Sequence, residues 1–165
     1  MTSAGINAGA ADAVYLVRHA KAGDRERWTE DDRLRPLTKR GRRQAEGLVH
    51  VFRRVEVRRI VSSPYERCGQ TVRPLALDRG IAIEFDDALA EAASLDAAMR
   101  LVTGARPGTV LCSHGDMIPS VIGRLVEEGA TIDGERGWKK GSTWALAHRD
   151  GRIASARYIP PPTYR

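Results

Sequence analysis

Two stretches of this chain run from apolar residues straight into a histidine. Ala13-Val14-Tyr15-Leu16-Val17 leads into Arg18-His19-Ala20, and Thr109-Val110-Leu111-Cys112 leads into Ser113-His114-Gly115-Asp116. A third stretch, Arg59-Ile60-Val61-Ser62-Ser63-Pro64-Tyr65-Glu66-Arg67, ends on a guanidinium. In open α/β sheets ligands bind at the carboxyl ends of the strands, so charge at a strand's end is there to meet one. If these strands are parallel and adjacent, Arg18, His19, Arg67 and His114 converge on one pocket. Two arginines and two histidines at one locus suit an anion, and the planar fork of arginine matches phosphate oxygens.

The elements that must position these residues follow from periodicity. Short apolar runs with β-branched and aromatic members read as strands buried on both faces, the kind found in parallel sheets. Thr38 caps a helix whose apolar face is Ala45, Leu48, Val49, Phe52 and Val55. Pro64 stands where a second helix can begin, with Arg67 on its first turn, and Pro74 predicts a kink in it. Ile81 to Phe85 reads as a short strand. Leu95, Ala98, Met99 and Val102 mark a third helix; Ile118, Val121, Ile122, Leu125 and Val126 mark a fourth. Thr143 to His148 and Ile153 to Ile159 read as strands turned by Asp150-Gly151, with Pro160-Pro161-Pro162 ending regular structure. This order predicts an α/β fold, a three-layer α/β/α sandwich with a mostly parallel sheet and an antiparallel strand at its edge. The charged stretch from Lys21 to Pro36, with Trp28 inside it, reads as a solvated loop over the pocket mouth.

The 165 residues suit one domain, expected over 13–165, behind a flexible tail over 1–12 with no signal-peptide pattern. The net charge is +6, but the cations are scattered along the sequence, which argues against a nucleic-acid-binding block. Of the 27 basic residues only Lys21, Lys39, Lys139 and Lys140 are lysine. Two cysteines are too few for a disulfide framework and fit a cytoplasmic location. Cys112 is expected to be a small buried hydrophobe. No stretch approaches the roughly 20 apolar residues that a membrane-crossing helix needs.

These residues resemble the histidine phosphatase superfamily, which includes phosphoglycerate-mutase-like enzymes and small phosphohistidine phosphatases. Leu16-Val17-Arg18-His19-Ala20 is similar to its signature strand, with Ala20 where many members have glycine. Leu37-Thr38-Lys39-Arg40-Gly41 is similar to its first helix start. Ser62-Ser63-Pro64-Tyr65-Glu66-Arg67 resembles the segment that supplies a second arginine, and Ser113-His114-Gly115 the one that supplies a second histidine. Arg18-His19-Ala20-Lys21-Ala22 and Asp31-Asp32-Arg33-Leu34-Arg35-Pro36-Leu37 further resemble the phosphatase half of actinobacterial Nudix–phosphatase fusions, although no Nudix box occurs in this sequence.

The resemblance implies a phosphoglycerate-mutase-like fold and a metal-independent hydrolase with no cofactor. His19 would attack phosphorus, and water would then hydrolyse the phosphohistidine. Neighbouring Arg18 and Arg67 should disfavour its imidazolium form. Arg18, Arg67 and His114 would hold the nonbridging oxygens, with Lys21 as a further contact. Glu91 is the candidate proton donor; Asp116 is a second candidate whose simpler role is to cap the helix after it. The implied substrate is a small phosphorylated compound or a phosphohistidine protein.

Two rival readings stay open: a nucleotide phosphatase or pyrophosphatase of the same fold, in which Trp28 could stack a base, and a non-catalytic module that binds polyanions or phosphoproteins. A metal site built from His19, His114 and Asp116 is disfavoured, since the arginines would repel a cation. Cysteine-phosphatase chemistry is excluded, because Pro74 and Ile118 stand where it needs arginine. His50 and His148 read as ordinary helix and strand residues. The sequence leaves oligomeric state open.

Overall fold

The computed structural model describes residues 5, 6 and 12–163. Four parallel strands carry the pocket: β1 (Ala13–Arg18), β2 (Arg59–Ser62), β3 (Ile83–Phe85) and β4 (Thr109–Ser113). With β5 (Thr131–Asp133), β6 (Thr143–Arg149) and β7 (Arg152–Ile159) they form one sheet among the described residues, ordered β3-β2-β4-β1-β6-β7-β5.

Side-chain alternation sends successive residues of β1 to opposite faces of the sheet. Tyr15 and Val17 pack with Leu48, Phe52, Val72 and Leu75 of helices α1 (Lys39–Val51) and α2 (Glu66–Arg79) and the residue after α1. Val14 and Leu16 pack on the other face with Val102, Ile118 and Ile122 of α3 (Leu95–Gly104) and α4 (Met117–Glu127). Fully burying such a side chain is worth about 1.5–3 kcal/mol, and two covered faces account for the nearly continuous apolar character of β1. The result is the expected three-layer sandwich with a mostly parallel sheet.

Several details differ from the sequence reading. The antiparallel strand is not at the edge: β6 lies between β1 and β7 and is antiparallel to both. Its first four residues are buried and the next two half-buried, so no apolar–polar alternation shows and its direction is hidden from a periodicity argument. Strand β5, paired parallel to β7, was not foreseen; its three residues are too few to show alternation. The Asp150-Gly151 turn forms as expected, both residues at positive φ. Thr38 caps α1, its hydroxyl accepting from the Gly41 amide at 3.1 Å. Helix α2 continues through Pro74 to Arg79. Most of the expected N-terminal tail lies outside the described residues, but Ile6 is only 4% exposed and donates its amide to the Val51 carbonyl at 3.2 Å.

Neighbouring strands β1 and β4 are followed by helices on opposite faces, α1 on one and α4 on the other. Their outgoing chains therefore diverge and leave a crevice at the carboxyl end of the sheet, the position where α/β folds take their ligands. Register aligns the strand ends: Arg18 pairs with Ser113, and Ser62 with Cys112.

Candidate active site

His19 is the first residue past β1, and its amide donates to the Ser113 carbonyl at 3.0 Å, so the parallel ladder fixes its backbone one step beyond the strand. The Ala20 amide donates to Thr71 Oγ1 at 2.9 Å, and that hydroxyl donates to the Arg67 carbonyl at 2.7 Å. One threonine thus couples the end of β1 to the first turn of α2. The Gly141 amide is shared by the Arg18 and His19 carbonyls, each at 3.1 Å.

The His19 ring stands 2.8 Å, through Nδ1, from the Ala20 carbonyl oxygen. A carbonyl only accepts, so Nδ1 carries the proton and Nε2 of the neutral ring holds the lone pair. With the residue 7% exposed, burial pushes the His19 pKa down to about 3; His114, Arg67 and Arg18 add smaller contributions in the same direction, against the Ala20 hydrogen bond. The sequence argument named the arginines as the cause. Desolvation outranks them, because a ring this deeply buried loses more hydration as a cation than its neighbours repel.

His114 lies beside it, the ring centroids 5.3 Å apart, and Tyr65 packs against His114 edge-on at 4.8 Å. Ser63 Oγ is 2.8 Å from His114 Nε2, and Cys68 Sγ is 3.5 Å from the same nitrogen. Arg67 has no solvent exposure; its guanidinium lies 4.8 Å from the Tyr65 ring centroid. Nη1 donates to the Asp32 carbonyl at 2.8 Å, and Nη2 to Asp32 Oδ2 at 3.1 Å and Glu91 Oε2 at 3.3 Å. Arg18 donates through Nη1 to the Trp138 carbonyl. Burial lowers its pKa from the usual arginine value. A Cβ on residue 115 would stand 2.6 Å from the Arg18 guanidinium carbon, so Gly115 leaves the space this arginine fills.

Among the described residues, buried side-chain polar atoms without a protein partner are Arg18 Nε, Arg67 Nε, His114 Nδ1, Thr143 Oγ1 and His148 Nδ1. Three of these belong to the four residues singled out from sequence. Buried polar groups are normally satisfied, so their clustering marks a locus equipped for a polar ligand.

Above this floor opens a cleft of about 590 Å³ lined by Arg18, His19, Lys21, Arg25, Arg35, Glu91, Asp116 and Lys140, among others. Arg18, His19, Lys21 and Glu91 thus line the cleft, while Arg67 and His114 are buried beneath its lining, His114 with its ring centroid 5.3 Å from that of His19 and Arg67 in contact with Glu91. Asp116 does not cap α4 through its side chain; Oδ2 accepts the Ala92 amide at 2.8 Å and so braces the turn that carries Glu91. Trp28 is not among the lining residues: its Nε1 donates to the Asp31 carbonyl at 2.9 Å.

The charged stretch from Lys21 to Pro36 is only partly solvated. Arg35 is 5% exposed, donating to Asp32 Oδ1 at 2.9 Å and to the Gly23 carbonyl at 2.5 Å. Asp32 opens a short 3-10 turn (Asp32–Leu34) and touches Arg35, Arg67 and, at 3.7 Å, Arg25. Its partial burial works against the carboxylate, but hydrogen bonds and charge from Arg35 and Arg67 outweigh that and lower its pKa. Arg25 donates to Glu91 Oε1 at 2.7 Å. Sequence reasoning missed Asp32, Arg25, Arg35 and Lys140, all on irregular segments without periodicity. It also passed over Ser63, although that residue sits inside the Ser62 to Arg67 motif.

Among the described residues, no group of three or more histidine, cysteine, aspartate or glutamate side chains is arranged to hold a metal ion. No helix there is long and apolar enough to cross a membrane.

Comparison with known proteins adds to this geometry. The sequence profile of the histidine phosphatase superfamily (branch 1) matches residues 14–99. A curated 8-oxo-(d)GTP phosphatase of Mycolicibacterium smegmatis is 39% identical over 155 residues, which is 90% of this chain and 48% of that protein. The chain thus spans about half the length of this curated relative. The solved SixA protein of Agrobacterium tumefaciens superposes with a TM-score of 0.68 at 24% identity, over 91% of this chain and 98% of its own. The protein histidine phosphatase SixA complexed with tungstate superposes at 0.65 with 19% identity, over 92% and 96%. At such identities the structural likeness speaks to the fold alone.

Proposed function

Since this chain belongs to the histidine phosphatase superfamily, matched over residues 14–99, we propose that it hydrolyses a phosphate monoester or phosphohistidine through a covalent phosphohistidine on His19. The observation that carries the reading is the His19 ring: Nδ1 is committed to the Ala20 carbonyl at 2.8 Å, and the pKa is held down to about 3, so Nε2 keeps its lone pair at neutral pH.

Nε2 forms a bond to phosphorus as the bond from phosphorus to the leaving group breaks. Arg18, Arg67 and His114 hold the nonbridging oxygens, and Lys21 adds positive charge at the cleft. Glu91 takes up a proton as the substrate binds, from a monoanionic phosphoryl group or from solvent, passes it to the departing oxygen of an ester or nitrogen of a phosphohistidine, then takes one from the water that attacks the phosphohistidine on His19 and releases phosphate. Both Glu91 oxygens contact arginines, Oε1 with Arg25 and Oε2 with Arg67. A phosphoryl group that claims Arg67 Nη2 would free Oε2 for this proton transfer, coupling substrate arrival to the readiness of the acid.

The curated relative named an 8-oxo-(d)GTP phosphatase, at 39% identity, favours a second reading in which the substrate is a nucleotide. Either way the covalent step is testable. Wild type should release phosphate from p-nitrophenyl phosphate or from a phosphohistidine peptide, and rapid denaturation during turnover should trap an acid-labile, base-stable phosphoprotein. His19→Ala should do neither. Turnover that survives the substitution, or a trapped phosphoryl group on another residue, rejects the mechanism.

A further inference from the structure

The cleft carries more positive charge than one phosphoryl group requires, and part of that charge has no counterion. Five basic residues line it: Arg18, Lys21, Arg25, Arg35 and Lys140. Arg25 is paired with Glu91, and Arg35 with Asp32. The lining carboxylates are also engaged: Asp116 holds the Ala92 amide, and Asp24 accepts from the Glu26 amide and lies 3.7 Å from Arg27. Neither Lys21 nor Lys140 has a carboxylate within 4 Å among the described residues.

The backbones of these two lysines, whose side chains share the cleft, are bridged by one side chain. The buried Gln44 side chain accepts the Lys21 amide at 2.9 Å through Oε1 and donates to the Lys140 carbonyl at 3.4 Å through Nε2. The Lys21 carbonyl accepts the Thr38 amide at 2.9 Å and its hydroxyl at 3.2 Å. A Cβ on residue 41 would collide with the same carbonyl, so Gly41 admits it. Lys140 is followed by Gly141, whose amide binds the Arg18 and His19 carbonyls, so the second lysine is tethered to the nucleophile's own backbone. Burial, with smaller contributions from Arg18, Arg35, Lys21 and Arg25, lowers the Lys140 pKa from the usual lysine value. Like charges gathered without a counterion cost stability, and their gathering is explained if an anion joins them. The cleft volume of about 590 Å³ falls among those that organic ligands fill.

We propose that Lys21 and Lys140, held together by Gln44, form a subsite for a second phosphoryl group of the substrate, next to the pocket that takes the one transferred to His19. The substrate class is then a compound ending in a diphosphate. This inference rests on the phosphatase reading and narrows it.

Methylenediphosphonate, whose P–C–P bridge is not cleaved, and inorganic phosphate are the probes. Binding is measured by calorimetry, and inhibition of p-nitrophenyl phosphate hydrolysis is measured alongside. Wild type should bind the diphosphonate at least about tenfold more tightly than phosphate, the worth of one charge-assisted contact. Lys140→Gln should cut that preference about tenfold and Lys140→Arg should keep most of it. Lys39→Gln, which removes an exposed charge outside the cleft, should leave the preference intact. Equal affinities in wild type, or the same preference in wild type and Lys140→Gln, overturn the subsite while leaving the phosphatase reading standing. Failure to bind either probe, with no turnover, overturns both.

Discussion

The floor of the cleft and its rim use the same kinds of side chain in different ways. On the floor, Arg18, His19 and His114 sit at or just past strand ends and Arg67 in the first turn of α2, and His19, Arg67 and His114 are buried. Strand register, the Thr71 bridge and carbonyl contacts hold them in place. On the rim, Arg25, Asp32 and Glu91 are held by ion pairs with one another and with Arg35 and Arg67, their side chains 61%, 35% and 27% exposed. A group fixed by buried backbone contacts is ready before substrate arrives and acts where dielectric is low. An exposed ion pair is worth only about 0–1 kcal/mol and can be exchanged for a ligand at little cost. The floor should therefore set the rate of phosphoryl transfer, and the rim should set which molecule is admitted and how tightly.

The largest expected effect lies on the floor. Losing one fixed donor to a developing oxyanion costs about 3–4 kcal/mol of barrier, so Arg67→Ala should lower kcat by roughly 10²–10³. Because Arg67 is fully buried and contacts Asp32 and Glu91, the same change leaves a cavity and takes one cationic partner from each carboxylate, Asp32 keeping Arg35 and Glu91 keeping Arg25. Arg67→Lys separates the two consequences: it keeps a charge but loses the fork, and should show an intermediate kcat with a melting temperature near wild type. A floor residue that altered only KM would break the contrast.

This contrast also explains what could be read from the sequence. Strand ends were legible because an apolar run that stops at Arg18-His19 or Ser113-His114 states both the element and its terminus. Parallel register then converts sequence motifs into spatial neighbours. Helix α1 was legible through Thr38 and its apolar stripe. The direction of β6 and the existence of β5 were not, the first because its buried run Thr143 to Leu146 shows no apolar–polar alternation, the second because three residues show no period. The rim was least legible: Asp32 and Lys140 lie on irregular segments whose partners are fixed only by the tertiary fold. Arg35 illustrates the point, since its burial depends on Asp32 and on the distant Gly23 carbonyl, neither of which its local composition reveals.

A second prediction concerns stability. His19 has a folded pKa of about 3 against an unfolded value near 6.5. Above pH 6.5 the ring is neutral in both states and contributes nothing. As pH falls below 6.5 the unfolded chain takes up a proton that the folded one refuses, so stability is lost progressively down to about pH 3. Between pH 7 and 5 this amounts to about 2 kcal/mol, the difference expected between the losses of wild type and of His19→Asn in urea unfolding. Activity should move differently. His19, the proposed nucleophile, stays neutral throughout this range, so any acid limb of kcat/KM between pH 5 and 7 belongs to the substrate or to other groups. Equal acid sensitivity of the two proteins would show that the His19 ring is less sealed than the floor requires.

The smallest effect belongs to the rim, and its sign separates two roles for Asp32. As a holder of Arg67 it should help phosphate bind; as a competitor for the same guanidinium it should hinder it. Arg67 keeps three supports without the Asp32 carboxylate, namely the Asp32 backbone carbonyl at 2.8 Å, Glu91 Oε2 at 3.3 Å and the Tyr65 ring at 4.8 Å. Asp32→Asn leaves all three in place, removes the competing charge, which solvent already screens because the side chain is 35% exposed, and leaves one acceptor oxygen where Arg35 and Arg67 each had their own. Competition should prevail, so the variant should bind inorganic phosphate about two- to fivefold more tightly, a gain of under about 1 kcal/mol. The inhibition constant of phosphate against p-nitrophenyl phosphate hydrolysis reads this directly. A weaker constant would make Asp32 part of the fixed floor, and the division between floor and rim would have to be redrawn around it.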